Sequence, residues 1–325
     1  MSATSARMSK LGLAALTLAA VVAWSGAASA ADKIRAGRPA PAFPFVPLDI
    51  GMEKGFFQKH GVEVETTTFS GGAKLMQGLV AGAIDVSVGS GSDFAYILKG
   101  VPMTAIAAVA GPPNLFGLTV LYDSPIKTVD DLKGKKIGIA TYNAMTHWLA
   151  LELARQKGWG PDGVIPVPIG SNSAAQYAAL KTHQIDADLA ASALGFELEE
   201  KKEGRLLLPV SDYVGDVVIH MISATNDSIA KHPEALSHFM AGWFDTIAFM
   251  RANKAETVAL ARQVTGFDET VESREYDLCI TMFSSTGRFT PEALKNLGDL
   301  LAANKAIPEG TDLSKMLTER FLPRS

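Results

Sequence analysis

Cysteine is almost missing from this 325-residue sequence, where Cys279 stands alone. No intrachain disulfide can form, so the folded chain must be held by its apolar core. Cys279 lies in an apolar helical context with no neighbouring His or Cys and reads as a buried thiol. Histidine is scarce too. The six are His60, His147, His183, His220, His232 and His238, and none shares a helical face with a second ligand at metal-binding spacing, so no metal site is expected. Positive charge is not in excess. The 30 Lys and Arg face 34 Asp and Glu, which excludes the electrostatic footprint of a nucleic-acid-binding protein. A Walker loop, a serine nucleophile elbow and a dinucleotide fingerprint are all lacking, since Gly89-Ser90-Gly91 has no third glycine in register. No cofactor is therefore expected.

What is present begins with the first thirty residues. Arg7 and Lys10 precede an uncharged stretch, 11–22, and Ala28-Ser29-Ala30 then supplies the small residues that a signal peptidase requires. Residues 1–30 read as a cleaved export signal. The apolar run is shorter than the roughly 20 residues that span a bilayer, and no cysteine at the cleavage point offers a site for lipid attachment. Cleavage removes two basic and no acidic residues, making the mature chain more acidic than the net −4 of the whole. The remaining length exceeds the usual single core and calls for two lobes of roughly 100 to 200 residues each.

Short apolar runs then alternate with longer amphipathic ones. Strands are predicted over 34–37, 62–69, 84–89 and 103–109, with helices over 47–60, 73–81 and 93–99 between them. A second set follows, with strands over 136–140, 165–169, 187–191 and 205–209 and helices over 146–157, 174–181 and 195–203. This βαβ rhythm predicts α/β lobes, each a parallel sheet covered by helices. The two sets align at an offset of 101 residues, which brings Leu79 onto Leu180, Ile84 onto Ile185 and Asp85 onto Asp186. Two similar lobes are expected from that match. From about residue 226 only helical patterns remain, over 233–253, 254–264, 269–283, 291–304 and 313–321. Two apolar, strand-like stretches, 116–122 and 217–223, are the expected crossings between lobes, and paired crossings make a hinge. The predicted division is lobe I from 31–115 plus 218–325, and lobe II from 116–217.

The run Asp49-Ile50-Gly51-Met52-Glu53-Lys54-Gly55-Phe56-Phe57-Gln58-Lys59-His60-Gly61-Val62-Glu63-Val64 closely resembles the signature of the solute-binding proteins for nitrate, taurine, alkanesulfonates and thiamine precursors. Three further segments resemble that family in the same order. They are Gly71-Gly72-Ala73 through Gly82-Ala83-Ile84-Asp85-Val86, then Asp130-Asp131-Leu132-Lys133-Gly134-Lys135-Lys136-Ile137-Gly138, then Ala179-Leu180 through Gln184-Ile185-Asp186-Ala187. The resemblance spans residues 32 to about 210, while the helical tail agrees in character only. It implies a two-lobed periplasmic binding protein fold, type II-like, with two hinge crossovers and a helical C-terminal tail. It also implies a periplasmic, monomeric substrate-binding component of an ABC-type importer. The implied partners are a small-molecule ligand and a membrane permease. The implied cargo is a sulfonate, a nitrate-like anion, or a pyrimidine or other aromatic compound. Most motif residues read as structural: Gly55-Phe56-Phe57 ends a helix with its aromatics under the sheet, and Gly61 stops it.

In open α/β sheets, ligands bind outside the carboxyl ends of strands, where helix N-termini present unpaired N–H groups. Four loops qualify by position, 41–45, 70–73, 89–92 and 141–146. The candidate ligand-binding residues are Pro41 and Phe43 in the first, Ser70, Gly71 and Gly72 in the second, and Ser90, Gly91 and Ser92 in the third. Tyr142, Asn143, Thr146 and His147 come from the fourth, with Asn172 and Ser192 from later turns of the second set. The glycines permit close backbone approach, and the hydroxyls and amides supply donors and acceptors. Phe43 and Tyr142 are expected as walls, whereas Phe45 and Trp148 read equally as wall or as packing. None of the loops carries Arg or Lys apart from Lys74 just inside a helix, so no guanidinium clamp on an anion is evident. Arg38 is the one cation placed to reach the cleft, and Asp49 and Asp93 read as helix-start residues. His147 opens a helix at the predicted cleft, where the positive dipole favours its neutral form. The alternative to a binding protein is an enzyme on the same fold, dehydratase-like or pyrimidine synthase-like, using His147.

Overall fold

The computed structural model describes residues 32–324, and the segment read as an export signal lies outside them. The strands, in chain order, are β1 (Asp32–Arg38), β2 (Val62–Thr68), β3 (Val86–Ser90), β4 (Met103–Ala110), β5 (Phe116–Leu121), β6 (Lys136–Ile139), β7 (Ile165–Pro168), β8 (Ala187–Ala191), β9 (Gly204–Pro209) and β10 (His220–Thr225). They form two five-stranded sheets, ordered β2-β1-β3-β10-β4 and β7-β6-β8-β5-β9. Position for position the two orders correspond, with β10 in the first sheet holding the place that β5 holds in the second.

These two strands occupy the stretches predicted as crossings. Each leaves one half of the molecule, enters the sheet of the other and runs antiparallel to both neighbours, β10 against β3 and β4, β5 against β8 and β9. The wholly parallel sheets expected from the βαβ rhythm are corrected accordingly. Only β1 with β2 and β3, and β6 with β7 and β8, pair in parallel, and these strands follow one another through helices, as parallel neighbours require.

The helix predicted over 47–60 is two, α1 (Val46–Glu53) and α2 (Phe56–Lys59), broken where Gly55 takes φ 71°. The break turns Phe57 inward to stack on Phe239 at 5.2 Å. Next come α3 (Gly72–Val80), α4 (Phe94–Leu98), α5 (Met145–Gln156), α6 (Ser173–Lys181) and α7 (Ser192–Glu200). The tail is α8 (Asn226–Lys231), α9 (Pro233–Ala252), α10 (Lys254–Thr265), α11 (Glu269–Cys279) and α12 (Pro291–Ala303). Leu236, Phe239, Met240, Trp243, Ile247 and Met250 recur at helical spacing along α9 and are all buried, which fixes this helix against α1 and α2. Two tail predictions need correction. The helix expected over 269–283 stops at Cys279, because Phe283 leaves it to bridge Ala110 on β4. Of 313–321 only the 3-10 turn Leu313–Met316 forms before Leu317 bridges Ala105 on the same edge strand.

The 101-residue repeat has a geometric basis. Gly82 and His183 both take positive φ, 70° and 54°, and end α3 and α6. The N–H groups of Ala83 and Gln184 then donate back to the carbonyls of Gly78 and Ala179, at 2.9 and 3.0 Å. Asp85 accepts the backbone N–H of Arg35 at 2.9 Å, and Asp186 accepts that of Lys136 at 2.8 Å. Each Asp also donates its own N–H to the carbonyl of that same residue, at 2.7 and 2.8 Å. One carboxylate thus clips the entry of β3 to β1, and the other the entry of β8 to β6. Asp186→Ala strips the Lys136 N–H of its partner and is expected to cost about 1 kcal/mol, read as a lower urea midpoint; an unmoved midpoint would show that the clip adds nothing.

Candidate functional site

Loops and helix starts beyond the carboxyl ends of strands in both sheets converge on a cavity of about 110 Å³. That volume is several times what one water occupies and suits a small organic molecule. One side is formed by Pro39, Pro41 and Phe45 after β1, by Gly71 and Gly72 at the start of α3, and by Ser90 at the end of β3. The other is formed by Thr146 of α5, Ser171 before α6, Ser173 and Gln176 of α6, and Ala190 and Ala191 of β8. Phe116 and His220 enter from the crossing strands, and Phe267 and Glu275 from the tail. Among the described residues no Lys or Arg lines the cavity.

The two halves touch across this cleft. Ser171 Oγ donates to the Pro39 carbonyl at 2.8 Å, and Thr141 Oγ1 accepts the Ala73 N–H at 3.3 Å. Gly71 takes φ 94°, and a methyl group there would lie 2.6 Å from the Thr141 side chain. Its conformational freedom, expected to serve a bound group, lets the opposite half approach. Away from the cavity lining, Arg274 of α11 pairs with Glu199 of α7 at 2.9 Å, and Asn304 donates to Glu152 of α5 at 3.3 Å.

Of the residues singled out in the sequence, Pro41, Gly71, Gly72, Ser90 and Thr146 line the cavity. Thr146 Oγ1 also accepts the Ala140 N–H at 3.1 Å. Phe43 is fully buried elsewhere, edge-on to Tyr276 at 6.0 Å. Its neighbour Phe45 supplies the wall. Gly91 donates its N–H to the Ile219 carbonyl at 3.1 Å, Ser92 is buried with its hydroxyl 2.8 Å from that of Ser90, and Ser192 Oγ donates to the Leu115 carbonyl at 3.0 Å. Ser70 is exposed, and so is Tyr142, whose hydroxyl donates to the Pro166 carbonyl at 3.3 Å. Asn172 caps α6 by accepting the Ala175 N–H at 3.0 Å. Asn143 takes φ 63° and donates its N–H to His147 Nδ1 at 3.2 Å. His147 stands outside the lining, its ring between those of Tyr142 and Trp148, and burial lowers its pKa. Arg38 is buried and committed to Thr68, at 2.7 Å, and to Asp49. Asp93 closes a capping box with Ser90, and Asp49 stands in the first turn of α1.

Two ionisable groups in the lining were not singled out. His220 is buried on β10, its Nδ1 3.1 Å from the Gly89 carbonyl oxygen and its ring edge-on to Phe45 at 5.0 Å. Its Nε2 has no protein partner, and burial pushes its pKa down to about 4. Glu275 is buried on α11 with neither carboxyl oxygen partnered. Burial, with the like charge of Glu272 beside it, holds its carboxyl well above the usual range. Glu272 accepts the Thr265 hydroxyl at 2.6 Å, and burial raises it to about 7. A signal for this pair was available: Val271, Glu272, Glu275, Tyr276 and Cys279 fall on one helical stripe, so two carboxyls ride a face that is otherwise apolar. Among the described residues no cluster of His, Cys, Asp and Glu is arranged to hold a metal, and no helix is long and apolar enough to cross a membrane.

Two α/β halves joined by two swapped strands around a cleft define the periplasmic binding protein fold. The chain matches the family described as NMT1/THI5 like over residues 43–257, and it belongs to that family. A Brucella abortus (strain 2308) protein, provisionally named a binding protein, is 27% identical over 226 residues, 68% of this chain and 67% of that one. The solved structure of the alkanesulfonate-binding protein SsuA from Xanthomonas axonopodis pv. citri, bound to MOPS, superposes with a TM-score of 0.74 at 17% identity, covering 88% of this chain and 98% of that one. The desulfurization enzyme DSZB superposes with a TM-score of 0.65 at 16% identity, covering 89% and 97%. The fold therefore carries both a binding protein and an enzyme.

Proposed function

We propose that this protein is the substrate-binding component of an ABC-type importer and captures a small organic solute in the interlobe cleft by hinge closure. The observation that carries this is the cavity lined from both sheets and bridged by direct hydrogen bonds, Ser171 to Pro39 and Ala73 to Thr141. A molecule held there touches both halves at once, so it stabilises the closed form over the open one. Lobe I is residues 31–115 with 218–325, lobe II is 116–217, and the hinge is the pair of crossings between them. Pro41, Gly71, Gly72, Ser90 and Thr146, together with Phe45 and Phe116, are the contacts assigned to the ligand. Residues 1–30 act as the export signal, and the mature monomer meets its permease in the periplasm. Catalysis has no part in this role. Cys279 is buried outside the lining, and burial pushes its thiol well above the ordinary range, the opposite of what a thiolate nucleophile needs.

A thermal-shift screen of the mature protein against sulfonates, nitrate, taurine, pyrimidines and small aromatic amines and acids tests this role. A ligand at a hundredfold excess over its Kd adds about 2.7 kcal/mol of stability, so one chemical class is expected to raise Tm and to be recovered unchanged. Recovery of a converted compound would establish the enzyme instead, and a screen without any shift would remove the binding role.

A further inference from the structure

Beside the cavity the two halves meet along a seam, where α11 of the tail lies against α7 of the opposite half. Val271, Glu275 and Leu278 follow at i, i+4 and i+7 and so share one face of α11. Val271 packs with Ala193 and Phe196 of α7, and Leu206, Phe267 and Leu278 extend that cluster. Arg274 lies over the Phe196 ring at 4.0 Å and pairs with Glu199 at 2.9 Å. Parting the halves would return this apolar surface to water, so the seam favours the closed form. Two carboxyls sit on the same helix face and its flank. Neither oxygen of Glu275 nor Oε1 of Glu272 has a partner, and all three are sealed from solvent.

The charges around the pair are engaged elsewhere. On α10, Arg262 favours an ionised Glu272 but pairs with Glu269 at 3.5 Å, Lys254 is bound to Asp277 at 2.6 Å, and Glu256 is paired with Lys54. On α7, Glu199 is held by Arg274 and Glu197 by Lys201. The turn Phe43–Phe45 brings no charge. Cys279 of α11 is a buried thiol, and His220, in the cavity lining with Glu275, is kept neutral by burial. Burial, joined at Glu275 by the like charge of Glu272, therefore raises both carboxyls above their ordinary value of 4.5. Once the seam parts, water reaches them and that value returns. The closed form thus binds more protons than the open one, and its advantage is complete below about pH 4.5 and lost as pH rises through the raised values. Each carboxyl can shift the equilibrium by up to about tenfold per pH unit.

We propose that the α7–α11 seam is a proton-operated latch: the halves close over the cleft with Glu272 and Glu275 protonated, and loss of those protons opens them. This rests on the hinge closure proposed above and adds its regulation.

Small-angle X-ray scattering of the mature protein without ligand, from about pH 5 to about pH 9, tests the latch. The radius of gyration should be smallest at the acid end and rise towards the alkaline end, with circular dichroism showing the chain folded throughout. Glu272→Gln with Glu275→Gln has no proton to lose there and should stay compact across the range. Arg274→Ala removes the contacts to Phe196 and Glu199 but leaves both carboxyls, so it should bring the rise to lower pH, and it carries the test if the double variant does not fold. A radius that is constant with pH, or that rises equally in the folded double variant, overturns the latch and leaves the binding role standing. So does an Arg274→Ala rise at unchanged pH. A radius that responds neither to pH nor to any compound of the ligand screen would remove hinge closure itself, and the latch with it.

Discussion

Replacing Asp188 by Asn should raise Tm by several degrees at pH 8 and change it little at pH 4. Asp188 lies on β8 with 1% exposure, and neither carboxyl oxygen has a partner. Its strand neighbours are Thr119 and Gly138, and a methyl group on Gly138 would come within 2.8 Å of its Oδ1, so no room is left for a counter-charge. Burial pushes its pKa from 3.8 up to about 8. The unfolded chain releases this proton near pH 4, whereas the folded protein keeps it until about pH 8. Over that window the native state binds more protons, so stability is fully present below pH 4 and is lost as pH rises towards 8. At 1.36 kcal/mol per pH unit the loss is on the order of 5 kcal/mol. Asn has the shape of the protonated acid and no proton to lose, so it removes the loss. Asp93 and Glu272, both raised to about 7 by burial, leave a residual slope of the same sign. His220, lowered to about 4, contributes the opposite slope between about pH 6.5 and 4, which Asp188→Asn does not touch. Melting curves of both proteins across pH 4 to 8 should therefore converge at the acid end and diverge at the alkaline end. Parallel curves would show that Asp188 is already ionised in the fold.

Gly91→Ala should be the more damaging change, about 3 kcal/mol or failure to fold. A Cβ at Gly91 would sit 1.9 Å from the Val218 carbonyl oxygen and 2.8 Å from Leu297. Neither neighbour can move easily. The Gly91 N–H is bonded to Ile219 at 3.1 Å, and the Ile219 N–H to Ala110 at 2.9 Å, so the second crossing is pinned from both sides. Gly215→Ala is the control, since a Cβ there meets nothing within 4 Å, and it should leave the urea midpoint unchanged or slightly raised. Equal midpoints for the two variants would mean that the backbone at residue 91 yields more readily than its hydrogen bonds allow.

Much of the fold was legible because its signals are local. The repeat at 101 residues is visible in Ile84-Asp85 and Ile185-Asp186, which are clips between neighbouring strands and leave the same trace wherever the unit recurs. The crossings were legible as apolar runs. Their antiparallel direction was not, because it follows from which sheet the chain enters, a relation between residues as far apart as His220 and Ser90. The cavity was legible as a set of loops, and Pro41, Gly71, Gly72, Ser90 and Thr146 reached it. The side chains that go elsewhere share one cause. Phe43, Ser92, Asn172 and Ser192 satisfy their own local structure, a core, a hydroxyl pair, a cap and a carbonyl, and a residue's type does not reveal that its bonding capacity is already spent. His220 and Glu275 escaped for the converse reason. They lie on regular elements outside the loops, and only the assembled cleft shows that their polar atoms are left over.

The swapped strands also impose an order on assembly. The second sheet draws all its strands from a continuous stretch, from Phe116 on β5 to Pro209 on β9. The first sheet has a gap between β3 and β4 that only β10 fills. As the chain emerges from its N-terminus, the half that begins first must wait with two unpaired strand edges for residues 220–225, while the half that begins later can already close.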